Sequence, residues 1–257
     1  MMKQFKLLLA GMVLVGLLAT SCAQHYRLAS VERTRILVDH RYDVAPDARA
    51  TQFMAPYKHA VDSIMSPVVG RAARYLEASR PESPLSNLLS DILVWGGKAF
   101  NEQPDLAIYN MGGIRAALAE GDITVGDVVD VAPFENKICF LTLKGSQLKE
   151  LLAQTMKRGG EGVSHSVRIV ATSKGELLQV TINGKEINPD ADYRIATIDY
   201  LAQGNDGMTA FKYGTNVLSP QTEENNVRYI IMSYLREQMA QGKAVDATVE
   251  GRIRIEK

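Results

Sequence analysis

The spacing of apolar residues changes period repeatedly along this chain, and that change bounds the fold more tightly than any other feature. Over residues 54–78 the positions Tyr57, Ala60, Val61 and Ile64, then Val68, Val69, Ala72, Ala73 and Leu76, recur at three- and four-residue steps. That spacing predicts a helix, broken or kinked at Pro67. Residues 85–100 read as a second amphipathic helix, with Ser83 or Ser86 as its cap. The pattern then shortens. Residues 105–110 form an apolar run ending at Met111-Gly112-Gly113, which reads as a buried strand running into a glycine turn. After a Gly121-Asp122 turn, Thr124 suits the N-cap of a short helix. Strands are expected at 137–143, 167–171, 177–182, 193–197 and 252–255, and helices at 145–156 and 226–239. Asn183-Gly184, set between two apolar runs, is a hairpin signal. Helices and strands mix without a regular βαβ rhythm, so the expected fold class is α+β, in a single domain.

The N-terminus is expected to lie outside that fold. Lys3 and Lys6 flank a short positive segment, residues 7–19 are apolar, and Thr20-Ser21-Cys22 closes the run. Charge, length and the small-residue ending are those of a secretory signal, and the run is short for a membrane span. A cysteine at that place predicts a lipoprotein: signal peptide 1–21, lipidation at Cys22, a tether over 22–53 and the domain over 54–257. The tether carries one early strand expected at 35–38. The expected location is the bacterial cell envelope, an outer membrane facing the periplasm, with the membrane reached through the lipid. Cys22 and Cys139 are the only cysteines, so lipidation of the first leaves no internal disulfide; Cys139, in an apolar stretch, reads as a small core residue. Lys+Arg and Asp+Glu balance at 29 each, which implies no nucleic-acid partner.

Three segments carry the candidate chemistry. In Asn110-Met111-Gly112-Gly113-Ile114-Arg115, glycines after a strand let backbone N–H groups approach an anion, and Arg115 can fork onto a phosphate. A tight turn with an exposed arginine is the competing reading. In Pro133-Phe134-Glu135-Asn136, the aromatic is compatible with a core position or a platform for a flat ligand. In the stretch from Asp199 through Tyr200 to Asp206 and Gly207, a glycine-rich loop carries an aromatic and an acid, suited to a structural turn or to a base and a sugar.

In this order the segments resemble the C-terminal domain of the 5′-nucleotidase family, whose pattern runs N-x-G-G-I-R, G-x-I-T, P-F-x-N, K-G-x-x-L and F-L-A-x-G-G-D-G. Here stand Asn110 to Arg115, Gly121 to Thr124, Pro133 to Asn136, Lys144 to Leu148 and Tyr200 to Gly207, and Glu82 to Asp91 resembles an upstream helix start. The resemblance covers residues 54–257. It implies a substrate-binding domain in which Arg115 and Arg80 contact phosphate with Asn110 nearby. Gly112 and Gly113 form the turn, Phe134 and Tyr200 sandwich the base beside Asn136, and Asp206 holds the ribose hydroxyls. Three positions depart from the pattern: Tyr200 stands for Phe, Asn205 for the second glycine, and Met208 for an aromatic.

The family hydrolyses its substrates with a separate metallophosphatase domain whose D-x-H and G-N-H-[DE] motifs have no counterpart here. The four histidines are scattered, and there is no G-x-S-x-G elbow. The chain is therefore expected to have no catalytic residue, metal or cofactor of its own. Two roles follow from the resemblance: the recognition half of a phosphohydrolase acting with a separate metallophosphatase protein, or a non-catalytic nucleotide- or nucleoside-binding lipoprotein.

Overall fold

A computed structural model describes residues 28–37 and 39–256. The expected signal peptide, Cys22 and His25 lie outside them. By its contacts the chain divides into two units, Met1–Phe53 and Met54–Lys257. In the first, residues 28–37 have no regular structure, and Asp39 caps a short 3-10 turn, His40–Tyr42, by accepting the Arg41 N–H. The strand expected at 35–38 does not form over 35–37, and Val38 lies outside the described residues. A strand exists only in a ladder, and no described segment pairs with this one.

The first helix, α1, is Ala48–Met65, and it ends just before Pro67, where a break or kink is expected. Pro67 has no N–H to donate and biases Ser66 away from helical angles. The next residues form a strand instead, β1 (Val68–Ala72), in place of the helix expected to reach residue 78. Its partner is the antiparallel strand β3 (Gly121–Thr124), so Gly121 and Asp122, expected as a turn, are the first ladder residues. Thr124 then caps α3 (Val125–Val131): its Oγ1 accepts the Asp127 N–H, and the Asp127 carboxylate accepts the Thr124 N–H.

Helix α2 (Pro84–Gly96) has Ser83 at its N-cap and a proline at the first helical position, and buries Leu85, Leu88, Leu89, Ile92 and Leu93. Its expected extension to residue 100 tightens into a 3-10 turn, Gly97–Phe100. The remaining elements are β2 (Leu106–Tyr109), β4 (Ile138–Lys144), α4 (Gly145–Lys157), β5 (Gly162–Val163), β6 (Val167–Thr172), β7 (Leu177–Ile182), β8 (Lys185–Glu186), β9 (Asp192–Ile198), α5 (Asp199–Ala202), β10 (Thr215–Leu218), α6 (Val227–Ala240) and β11 (Ile253–Glu256). At the β7–β8 hairpin Asn183 and Gly184 both take left-handed angles, φ 51° and 74°, as a two-residue turn of this hand requires.

The strands make a five-stranded sheet in the order β10-β4-β9-β2-β5, a four-stranded sheet in the order β11-β6-β7-β8, and the β1-β3 pair. The architecture is α+β. Strand β2 is buried at every position, as its unbroken apolar run implies. Around it the core gathers Leu106, Ile108, Phe140, Leu141 and Ile195, with Leu89 and Ile92 from α2 and Leu148, Leu151 and Leu152 from α4. Each such side chain contributes about 1.5–3 kcal/mol on burial. Arg252, 1% exposed, ties the start of β11 to α2 through two bonds to the Asp91 carboxylate, and reaches the Val163 carbonyl at 2.7 Å.

Candidate functional site

Strand register brings distant segments to one end of the five-stranded sheet. Strands β2 and β9 are parallel neighbours, Leu106 beside Ile195, so the loops that leave them emerge together. Strand β4 runs antiparallel to β9 with Ile138 opposite Ile198, so the segment entering β4 arrives at the same end. Strand β5 runs antiparallel to β2 with Gly162 opposite Tyr109, which brings residues 158–161 there too. Ligand sites form readily at the carboxyl ends of parallel strands, where backbone groups run out of ladder partners.

Between these segments lies a cavity of about 200 Å³ lined by Asn110, Gly112, Gly113, Phe134, Asn136, Tyr200 and Asp206. All seven are among the residues expected from the sequence; Arg115 and Arg80 are not in the lining. Phe134 is 50% exposed and Tyr200 38%. Ring pairs such as Trp95 with Tyr234 and Phe100 with Phe140 lie elsewhere in the domain. The two apolar rings thus stand open beside one cavity, which settles the two readings of Phe134 against a core position. Exposing ring faces costs hydrophobic free energy that a flat ligand between them recovers.

The polar side of the cavity centres on Asp206. Its Oδ2 accepts from the Asn110 amide at 2.9 Å, and its Oδ1 from the Tyr200 hydroxyl at 3.3 Å, with an Arg158 guanidinium nitrogen at 3.5 Å. The negative charge of Asp206 raises the Tyr200 phenol above its ordinary pKa, so the hydroxyl stays protonated and donates. Asp206 takes a left-handed φ of 55° between Asn205 and Gly207. Asn205, which departs from the family pattern, is not itself left-handed; its amide donates to the Tyr200 carbonyl at 2.8 Å and closes the loop. Asn110 is buried, and its Oδ1 lacks a hydrogen-bond partner. A Cβ at Gly113 would fall 2.5 Å from that oxygen and force the Asn110 side chain to shift, whereas a Cβ at Gly112 would meet nothing nearer than 4.0 Å. The bare Gly112 leaves space beside Asp206.

Beneath the glycine turn lies a group that sequence reading missed. The Glu161 side chain, fully buried, pairs with Arg80 at 2.8 Å and Arg158 at 2.9 Å and accepts the Met111 N–H. The hydrogen bond to Glu161 is the main reason the Arg158 pKa is raised. Arg80, expected at phosphate, is thus engaged by Glu161 and by the Gly160 carbonyl. Arg115 is held only loosely, with 3.4 Å to the Gly112 carbonyl. The one local signal for residues 158–161 was an arginine and two glycines following a helix, which says nothing about burial.

Among the described residues, no group of three or more His, Cys, Asp or Glu gathers in a way that could hold a metal ion. Among the same residues no helix is long and apolar enough to cross a membrane.

Two open aromatic faces, a carboxylate contacted by three donors and a glycine turn are chemically suited to a flat, hydroxyl-bearing ligand. Residues 67–213 match the family model described as 5′-nucleotidase, C-terminal domain, a span that contains every segment of the site, and the chain belongs to that family. It is 29% identical over 238 residues to the trifunctional nucleotide phosphoesterase protein YfkN of Bacillus subtilis, covering 84% of this chain and 16% of that protein. It is 32% identical over 201 residues to the endonuclease YhcR of the same organism, covering 73% of this chain and 16% of the relative. Among solved structures it is similar to a 5′-nucleotidase precursor from Thermus thermophilus, with a TM-score of 0.69 and 28% identity, covering 83% of this chain and 44% of that one. The chain thus spans less than half the length of each of these proteins.

Proposed function

We propose that this protein is the nucleotide-recognition half of a 5′-nucleotidase-type phosphohydrolase, working in nucleotide breakdown with a separately encoded metallophosphatase chain. The observation that carries the reading is the convergence of Phe134, Tyr200 and Asp206 on one cavity from segments up to 72 residues apart in the chain (134 to 206, with 200 between them). A base enters between the rings, and its ribose hydroxyls donate to Asp206. Arg115, exposed at the mouth of the glycine turn and loosely held, is placed to receive a phosphate. Arg80 acts one step removed, through Glu161. Similarity to a nucleotide phosphoesterase and to a 5′-nucleotidase precursor supports the ligand class.

The partner follows from the family resemblance, in which a separate metallophosphatase domain carries out the hydrolysis. The proposal extends to the anchor: lipidation at Cys22 would hold the protein at the bacterial cell envelope, facing the periplasm. Titration calorimetry of the full chain with adenosine and AMP tests recognition, and saturable heat with both is expected. Affinity capture on the same chain tests the partner, and a protein bearing D-x-H and G-N-H motifs is expected. Heat from neither ligand, with or without that partner, would remove the reading.

A further inference from the structure

We infer that the Tyr200 hydroxyl is a specificity-determining group: it positions the Asp206 carboxylate for a vicinal diol, so that the cavity selects ribose-bearing ligands over those lacking the hydroxyls. The inference rests on reading the cavity as a nucleoside site.

Three donors from three separate segments hold this carboxylate. Asn110 follows β2, Tyr200 lies in α5, and Arg158 follows α4. Swinging the carboxylate away would break all of these contacts together. The two contacts on Oδ1, at 3.3 and 3.5 Å, are longer than good hydrogen bonds. They steer the oxygen without saturating it, and an incoming hydroxyl can displace or share them at small cost. Oδ2 has Asn110 at 2.9 Å and keeps acceptor capacity, with the open space of Gly112 4.0 Å away. A vicinal diol donates one O–H to each oxygen of a carboxylate, and both oxygens must then be presented together.

The phenol is well placed to enforce this. Its backbone is pinned on both sides: the Tyr200 N–H donates to the Asp199 carboxylate at 2.8 Å, and the Tyr200 carbonyl accepts from the Asn205 amide at 2.8 Å. Its proton is retained because Asp206 opposes ionisation. Losing the hydroxyl while keeping the ring would leave Oδ1 with Arg158 alone, at 3.5 Å, and so loosen the rotation of the whole carboxylate, with the stacking face unchanged. Preorganised acceptors bind better because the ordering cost has been met before the ligand arrives.

The test is calorimetry on the full chain and its Tyr200→Phe variant with adenosine and 2′,3′-dideoxyadenosine. The unsubstituted chain is expected to prefer adenosine. In Tyr200→Phe, adenosine should weaken by about 3- to 10-fold, within the worth of one ordinary hydrogen bond and fitting a contact as long as 3.3 Å, while dideoxyadenosine binds as before. Asp206→Asn should abolish the preference. Equal losses for both ligands, no loss for either, or no initial preference for the diol would overturn the inference and leave the nucleoside reading intact. Failure of the unsubstituted chain to bind either ligand would instead defeat the nucleoside reading, and the inference with it.

Discussion

Glutamine in place of Glu161 isolates the charge beneath the site while keeping the side chain's shape. In the native chain this carboxylate is fully buried, and it faces Arg80, Arg158 and the Met111 N–H. The amide keeps one acceptor oxygen, but its NH2 must face a group that was itself a donor. Removing one partner of a buried ion pair costs about 3–5 kcal/mol when the remaining charge is trapped away from water. Here the arginine side chains are 32% and 36% exposed, so both regain water in part, and the low end of that range applies. For a domain of about 150–250 residues each kcal/mol moves the Tm by about 2–4 °C, so about 3 kcal/mol lowers it by about 6–12 °C. Differential scanning calorimetry measures this directly. Adenosine affinity should fall in the same variant, because Met111 leads the glycine turn and Arg158 reaches Asp206. A Tm drop under about 2 °C would show that the buried charge does not tie the turn to its surroundings.

Phe134→Ala removes a half-exposed ring, so its Tm should stay close to the native value while adenosine affinity falls by about 5- to 150-fold, the worth of about 1–3 kcal/mol of stacking. Arg115→Ala should weaken AMP by about tenfold or more and adenosine far less, as expected for a charge-assisted phosphate contact; equal losses would place the arginine elsewhere. The Glu102 carboxyl is held below its usual pKa of 4.5 by its hydrogen bonds to Arg194. A depressed folded pKa contributes stability that is present above the unfolded value and is lost as pH falls through the folded one. The Tm gap between the native chain and Arg194→Met should therefore be widest near about pH 7 and close below about pH 4.5, and a gap undiminished at about pH 3 would refute the pairing.

Elements whose determinants lie within a few residues were legible in the sequence. Thr124 and Asp127 cap a helix through their own backbone neighbours, and Asn183-Gly184 reverses the chain because both residues accept left-handed angles. Strand β2 needs no partner to be recognised, since an apolar run of that length is buried wherever it goes. The motifs carrying the glycine turn, Phe134, Tyr200 and Asp206 were likewise visible, and so was the family they resemble.

What escaped local reading depends on partners far away in the chain. Val68, Val69 and Ala72 suit a helical stripe as well as a strand, and only the ladder with β3, about fifty residues on, makes them β1. Whether Phe134 fills the core or faces a cavity turns on the register of β4 against β9. Arg158 and Glu161 lie in a polar stretch with no signature, and Glu161 is buried because β5 pairs with β2 and carries it beneath the glycine turn. That placement also decides that Arg80 meets a buried carboxylate. The sequence by itself determined the motifs from which the proposed site is built. The tertiary structure decided which of them share a cavity and which hold the others in place, because convergence and burial follow from strand pairing, and pairing is set by the whole chain.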